Sequence, residues 1–255
     1  MPFFSARDGT SLFYRDWGNR NGTPIVFSHG WPLNGDNWEK QLVFFANNGY
    51  RAIAHDRRGH GRSDQPWEGN NVDTWADDLR QLIEHLNLKD VLIAAFISSC
   101  YPYMEAKHFT ANGQDGKGVP SEVFDHFRDT MLQVRADFFI EVPSAPFFGF
   151  NRPHVTKNQG LIDNWFQAGM LASLKAVHDT TYSWQLDYTK DVSELDIPTL
   201  VFHGTDDQVV PIDTGYAAAK LLKNCTAVFL DGAPHATPDL RADELNAELL
   251  KFLEK

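Results

Sequence analysis

Residues 24–61 read PIVFSHGWPLNGDNWEKQLVFFANNGYRAIAHDRRGHG. An apolar run from Pro24 to Ser28 ends at His29-Gly30. Helical spacing then runs from Asp36 to Asn47 and stops at Asn48-Gly49. A second apolar run, Arg51 to His55, ends in Asp56-Arg57-Arg58-Gly59-His60-Gly61. Short apolar runs bounded by turn residues are the mark of buried strands. Asn-Gly after a helical stretch is a stop, because both residues tolerate the left-handed conformation. Strand, helix and strand in so short a span make a βαβ unit, whose two strands run parallel.

The same alternation extends outward. Upstream, Phe3-Phe4-Ser5 and Leu12-Phe13-Tyr14 flank Asp8-Gly9, a hairpin turn. Downstream, Thr74 is placed to cap a helix with Asp77 as its capping-box partner. That helix carries Trp75, Leu79, Leu82, Ile83 and Leu86 on one face. Val91 to Ile97 is the next strand. From Pro102 to Lys190 the alternation stops. Ser121 to Glu141 and Asn158 to Trp184 read as helical, with PFFGFNRP (146–153) between them. A helical insertion of this length, about 102–190, is a candidate cap. Alternation resumes with the strand Thr199 to His203, a helix near Gly215 to Leu222, and the strand Ala227 to Leu230. A closing helix aligns Leu245, Leu249 and Phe252. Right-handed crossovers restrict such a chain to an α/β fold with a doubly wound, mostly parallel sheet. With no repeats and no linker, residues 1–255 are expected to form a single domain.

Composition narrows the partners. Against 23 basic residues stand 34 acids, a net charge of −11. Binding to nucleic acid or to an anionic membrane needs clustered positive charge, so neither is expected. The two cysteines, Cys100 and Cys225, have no CxxC or Cys/His spacing around them, and the histidines lack HExxH. No metal is expected. No basic, apolar leader opens the chain and no apolar run approaches membrane-spanning length, so the expected location is cytoplasmic.

Ligands of open α/β sheets bind beyond the carboxyl ends of the strands. Four strand ends here carry unusual residues: His29-Gly30-Trp31-Pro32, Asp56 to Gly61, His203-Gly204-Thr205-Asp206-Asp207, and Gly232-Ala233-Pro234-His235. Turn chemistry explains any one of them alone; their joint order asks for more. On these residues His29 and Asp56 read as members of the loop framework. His235 stays open between loop residue and base, Asp207 between turn residue and acid. Trp31 and Phe147–Phe150 stay open between core and site.

The segments FSHGWPL, GYRAIAHDRRGHGRSDQPW, APFFGFNRP, IPTLVFHGTDDQVVPI and GAPHAT resemble the α/β-hydrolases, in particular the cofactor-free (non-haem) chloroperoxidase and arylesterase branch. The resemblance covers the chain outside about residues 94–118. It implies an α/β-hydrolase fold with a helical cap, and a small ester or carboxylic acid as substrate. The reaction would be ester hydrolysis or perhydrolysis without a cofactor, and homo-oligomers are possible. In that family a serine on a strained G-x-S-x-G turn attacks the acyl carbon, a histidine takes its proton, and a carboxylate orients the histidine. By resemblance His235 is the base and Asp207 the acid, with Asp206 as the alternative register. The backbone N–H of Trp31 is one oxyanion donor, and Trp31, Phe147 and Phe148 line the substrate pocket.

The turn itself is missing. No G-x-S-x-G occurs in the chain, and no glycine stands between Gly69 and Gly113. Val91-Leu92-Ile93 reads as the start of the nucleophile strand and Ala94 to Ser99 as the end of the next. The turn, its helix and part of each strand have dropped out between them. The fold is therefore expected to lack one central strand and one covering helix, and the catalytic triad to be incomplete. The protein is expected to be inactive or strongly impaired. Two alternatives stand beside this. Ser98, Ser99 or Cys100 could replace the nucleophile, or the chain could be a non-catalytic ligand-binding module.

Overall fold

A computed structural model of the chain describes residues 2–95 and 119–254. The chain divides into two compact units, residues 1–96 with 167–180, and residues 97–166 with 181–255.

The first unit holds strands β1 (Phe3–Ser5), β2 (Ser11–Gly18), β3 (Pro24–Ser28), β4 (Arg51–His55) and β5 (Leu92–Ala95) in one sheet of order β1-β2-β4-β3-β5. The hairpin β1–β2 is antiparallel, pairing Phe3 with Phe13, and β2 runs antiparallel to β4. β3 lies parallel between β4 and β5, pairing Val26 with Ile53 and with Ile93. Helices α1 (Glu39–Asn47) and α2 (Val72–His85) connect these strands. Both faces of β3 are buried. Val26 clusters with Ile53, Leu12 and Leu82 of α2, while the neighbouring Phe27 packs against Trp38 and against Phe45 of α1. A strand covered on both faces reads as continuously apolar, which is why Ile25-Val26-Phe27 shows no alternation.

Two helix starts differ from expectation. Asn34 caps a 3-10 turn, Gly35–Trp38, before α1 begins at Glu39. α2 starts at Val72, and its cap is Asn71, not Thr74. The Asn71 side-chain oxygen accepts the backbone N–H of Thr74 at 3.0 Å and its hydroxyl at 3.1 Å. Asn71 can accept from the helix's first turn, so the helix opens one turn earlier. Asp77 bonds Arg80 and Gln81 instead of a cap.

The long helical stretch expected over 158–184 is two helices, α4 (Gln159–Leu171) and α5 (Leu174–Ser183). At the break the N–H of Ser173 turns to the carbonyl of Gly59, 2.7 Å away. Gly59 has φ +75°, and a Cβ there would lie 2.3 Å from Ala176, so only glycine permits this approach.

In the second unit, α3 (Ser121–Ser144) extends beyond its expected end and departs from helical geometry at Val134. A short helix, α6 (Thr189–Glu194), lies where none was expected. β6 (Thr199–Gly204) and β7 (Cys225–Leu230) form a two-stranded parallel sheet with His203 opposite Phe229. α7 (Ile212–Leu221), α8 (Thr237–Leu240) and α9 (Ala242–Leu253) complete the unit, with Leu245 and Leu249 of α9 buried. Its core is aromatic: Phe139 and Phe147 meet Trp165 edge-on, and Phe147, Phe148 and Phe150 pack in series.

Candidate active site

β6 and β7 each end in a loop, and these two loops bring Asp207 and His235 together. The side chains are buried, 5% and 6% exposed, with His235 Nδ1 2.7 Å from Asp207 Oδ2. A carboxylate oxygen accepts, so Nδ1 carries the hydrogen, and in the neutral ring the lone pair falls on Nε2. The other Asp207 oxygen, Oδ1, accepts the backbone N–H groups of Val209 and Val210 at 2.8 Å each. Burial alone would raise the Asp207 pKa. The His235 charge and the hydrogen bonds from His203 and His235 outweigh it and hold the carboxyl below the usual carboxylate range. Asp207 is thus a fixed, ionised acceptor.

Asp206, the alternative register, faces elsewhere. Its two oxygens take the Arg152 guanidinium, with Nε 2.8 Å from Oδ2. The side chain of Asn151 donates to Gln208 Oε1 at 2.9 Å and accepts in return. The segment 146–153 therefore grips the loop after β6. It grips the loop after β7 too. The carbonyl of Phe147 accepts the N–H of Ala236 at 3.1 Å, and the Phe147 ring lies edge-on 5.1 Å from His235. Gly149, at φ +69°, leaves room for Pro234, which a Cβ would approach to 3.3 Å. Phe148 is buried between Phe147 and Phe150.

His203 carries a contact the sequence reading did not assign. Its Nε2 lies 3.0 Å from the Val210 carbonyl and 3.3 Å from Asp207 Oδ2. The available signal was Gly215, a glycine inside a helical stretch, because its missing side chain makes the space for this ring.

In the first unit Trp31 follows β3. Its indole N–H donates to the Val177 carbonyl at 2.9 Å. His29 beside it is fully buried. Nδ1 donates to the Gly30 carbonyl and Nε2 accepts the Arg57 N–H, each at 2.9 Å. Asp56 accepts the N–H groups of Gly35 and Arg62 at 2.8 Å and the Arg62 side chain. Every ring nitrogen of His29 and both oxygens of Asp56 are thereby occupied in holding loops.

Ser98, Ser99 and Cys100 lie outside the described residues. The first unit also has a cavity of about 430 Å³, lined by Phe13, Arg15, Asp16, Trp17, Arg20 and Arg62 among others. Its arginines are each paired with an acid, Arg15 with Asp36 and Glu39, Arg20 with Asp16, and Arg62 with Asp56. None of the expected site residues lines it. Among the described residues, no three His, Cys, Asp or Glu side chains gather as a metal site would. No described helix is long and apolar enough to cross a membrane.

Comparison with known proteins gives the same outline. A family model described as the alpha/beta hydrolase fold matches residues 23–96. The chain is 42% identical over 275 aligned positions to a non-heme chloroperoxidase of Streptomyces lividans, covering all of both chains. It is 36% identical to a bifunctional esterase/perhydrolase of Acinetobacter calcoaceticus, covering 99% of each. The crystal structure of a bromoperoxidase from Bacillus anthracis superposes with a TM-score of 0.87 at 28% identity, over 100% of both chains.

Proposed function

Because the chain belongs to the α/β-hydrolases, in their non-haem chloroperoxidase branch, we propose that it keeps the acid–base half of an acyl-transfer site and lacks the nucleophile's turn. One observation carries this reading. A buried His235–Asp207 pair, 2.7 Å apart, stands in a chain with no G-x-S-x-G. Alignment length supports it. The Streptomyces lividans relative aligns over 275 positions, more than the 255 residues of this chain, so some of its positions face no residue here. Sheet topology is compatible, since β5 is the last strand of its sheet among the described residues and β6–β7 is a separate sheet.

The intact reaction would run in two halves. A serine oxygen attacks the acyl carbon of a small ester while His235 Nε2 takes its proton, and the alcohol leaves with that proton. Water or hydrogen peroxide then takes the acyl group, giving an acid or a peracid and restoring the serine. Asp207 holds His235 with Nδ1 protonated and stabilises the imidazolium. The Trp31 backbone N–H serves as one oxyanion donor. On this reading residues 1–255 are one domain, the insertion at about 102–190, with helices α3 to α5, is its cap, and Trp31, Phe147 and Phe148 border the acyl group. Loss of a triad nucleophile lowers kcat by about a millionfold, so turnover is abolished or strongly impaired.

The test is p-nitrophenyl acetate hydrolysis, with a fluorophosphonate probe alongside. The chain is expected to match its His235→Ala variant in rate and to take no label. Insertion of a G-x-S-x-G turn and a following helix after Ile93 should produce turnover that His235→Ala removes. Turnover in the unaltered chain that disappears in Ser98→Ala, Ser99→Ala or Cys100→Ala would sink the proposal and identify a substitute nucleophile.

A further inference from the structure

The Asp207 carboxylate serves two imidazoles with one oxygen. Oδ2 receives His235 Nδ1 at 2.7 Å and His203 Nε2 at 3.3 Å. His203 Nε2 also lies 3.0 Å from the Val210 carbonyl. A carbonyl only accepts, so Nε2 is the protonated nitrogen, and its hydrogen is shared between the two oxygens. The histidine stands on β6, locked in register opposite Phe229, and its side chain is only 10% exposed.

The helix beyond the acid loop is built around this ring. Gly215 lies within α7, where glycine is a poorer helix former than alanine. A Cβ at Gly215 would stand 2.7 Å from His203 Nδ1 and 3.2 Å from its Cγ. The helix thus carries its weakest residue where His203 needs the volume. A histidine that only tied down the turn would need the Val210 carbonyl alone; here the ring reaches the carboxylate as well.

We propose that His203 is a positioning residue that tunes His235, competing for Asp207 Oδ2 and so weakening the hold of that carboxylate on the His235 imidazolium. The functional meaning rests on His235 and Asp207 being base and acid, as argued above. The proton affinity itself is a property of the resting protein. The carboxylate does not depend on His203 for its place, because Oδ1 is anchored by the amides of Val209 and Val210. Removing His203 should therefore leave Asp207 in position with one donor fewer on Oδ2, and a carboxylate less satisfied by other donors stabilises a neighbouring cation more. With His203 present, the carboxylate's hold on the His235 proton is weaker, which favours a ring that both takes and releases a proton during turnover. The other charged groups on the surrounding elements are Asp206 and Arg152, paired with each other, Asp213 and Lys220 on α7, Asp231 after β7 and Asp239 on α8. They are unchanged in the variants below.

The experiment is an NMR titration of the His235 ring in the full chain, free of substrate, for the unaltered protein, His203→Phe and His203→Gln. Phenylalanine keeps the ring and removes the donor. Glutamine places an amide N–H near the position of Nε2. His203→Phe should raise the proton affinity of His235 by about threefold or more, and His203→Gln should return it to the starting value. If His203→Phe does not fold, Gly215→Ala, which displaces the ring without altering a polar group, should raise it in the same direction. An unchanged or lowered affinity in the donor-free variants, or no return with glutamine, would overturn the proposal. Ester turnover does not enter this readout, so failure here is separable from failure of the functional reading.

Discussion

Two of the bidentate arginine–carboxylate pairs in this chain differ in their consequences. Arg58 is 3% exposed and meets Asp78, equally buried, through Nε and Nη2 at 2.7 Å each, with Nη1 reaching Asp8 at 2.7 Å. Removing one partner of such a pair strands a charge in the interior, which costs about 3–5 kcal/mol. Arg58→Ala should lower stability by that order, read as a drop in urea midpoint. Arg152 pairs with Asp206 at the surface, 38% and 33% exposed. Solvent screens such a pair, so Arg152→Ala should cost only about 0.2–1 kcal/mol and weaken further in its effect as salt is raised. Both arginines stand in stretches the sequence marks as unusual, DRRGHG and PFFGFNRP. Which of them is buried is not written there, because burial depends on Asp78 arriving from α2, twenty residues further along the chain.

At the scale of elements, α2 shows how local rules compete. Thr74 and Asp77 satisfy the capping-box pattern, and the helix still begins at Val72 because Asn71 offers a side-chain acceptor one turn earlier. Asn71→Ala should cost about 1 kcal/mol of stability. Thr74→Ala, which leaves the Asn71-to-Thr74 backbone bond intact, should cost clearly less; the reverse order in thermal melts would restore Thr74 as the cap. The strands were legible for a simpler reason. Ile25-Val26-Phe27 and Ala52-Ile53-Ala54 are short, wholly apolar and bounded by turn residues, and both prove buried. The break between α4 and α5 was not legible, since it is made by the Gly59 carbonyl, far away in sequence, accepting from Ser173.

For the molecule as a whole, acid is the expected weakness. His29 and His55 are buried, and the ring centres of His55 and His60 lie 6.3 Å and 5.1 Å from that of His29. Burial, reinforced by the neighbouring Arg57 charge and opposed by Asp56, lowers the His55 pKa to about 4. His29 is held well below 6.5, again chiefly by burial. In the unfolded chain both titrate near 6.5. Between those values the unfolded state binds more protons, so stability rises with pH. The stabilisation is complete above about pH 6.5 and is lost as pH falls towards 4, on the order of 3 kcal/mol for His55 alone. Urea midpoints should be level above pH 7 and fall steeply between pH 6 and 4. His55→Phe should flatten that slope; an unaltered slope would remove His55 from the account. Asp207, held ionised, acts lower, its contribution being lost only below the ordinary carboxylate range.

The sequence by itself determined the α/β plan, the family and the residues at the strand ends, because periodicity, turn chemistry and short motifs are local and survive without coordinates. It also determined that no G-x-S-x-G is present. Only the tertiary structure shows which side chain each of the adjacent acids meets, Arg152 for Asp206 and His235 for Asp207. It alone brought His203 to the same carboxylate and explained the glycine in α7. Adjacent residues on a loop are equivalent to a pattern, but their side chains diverge in space, and the partner that selects one of them comes from a distant part of the chain.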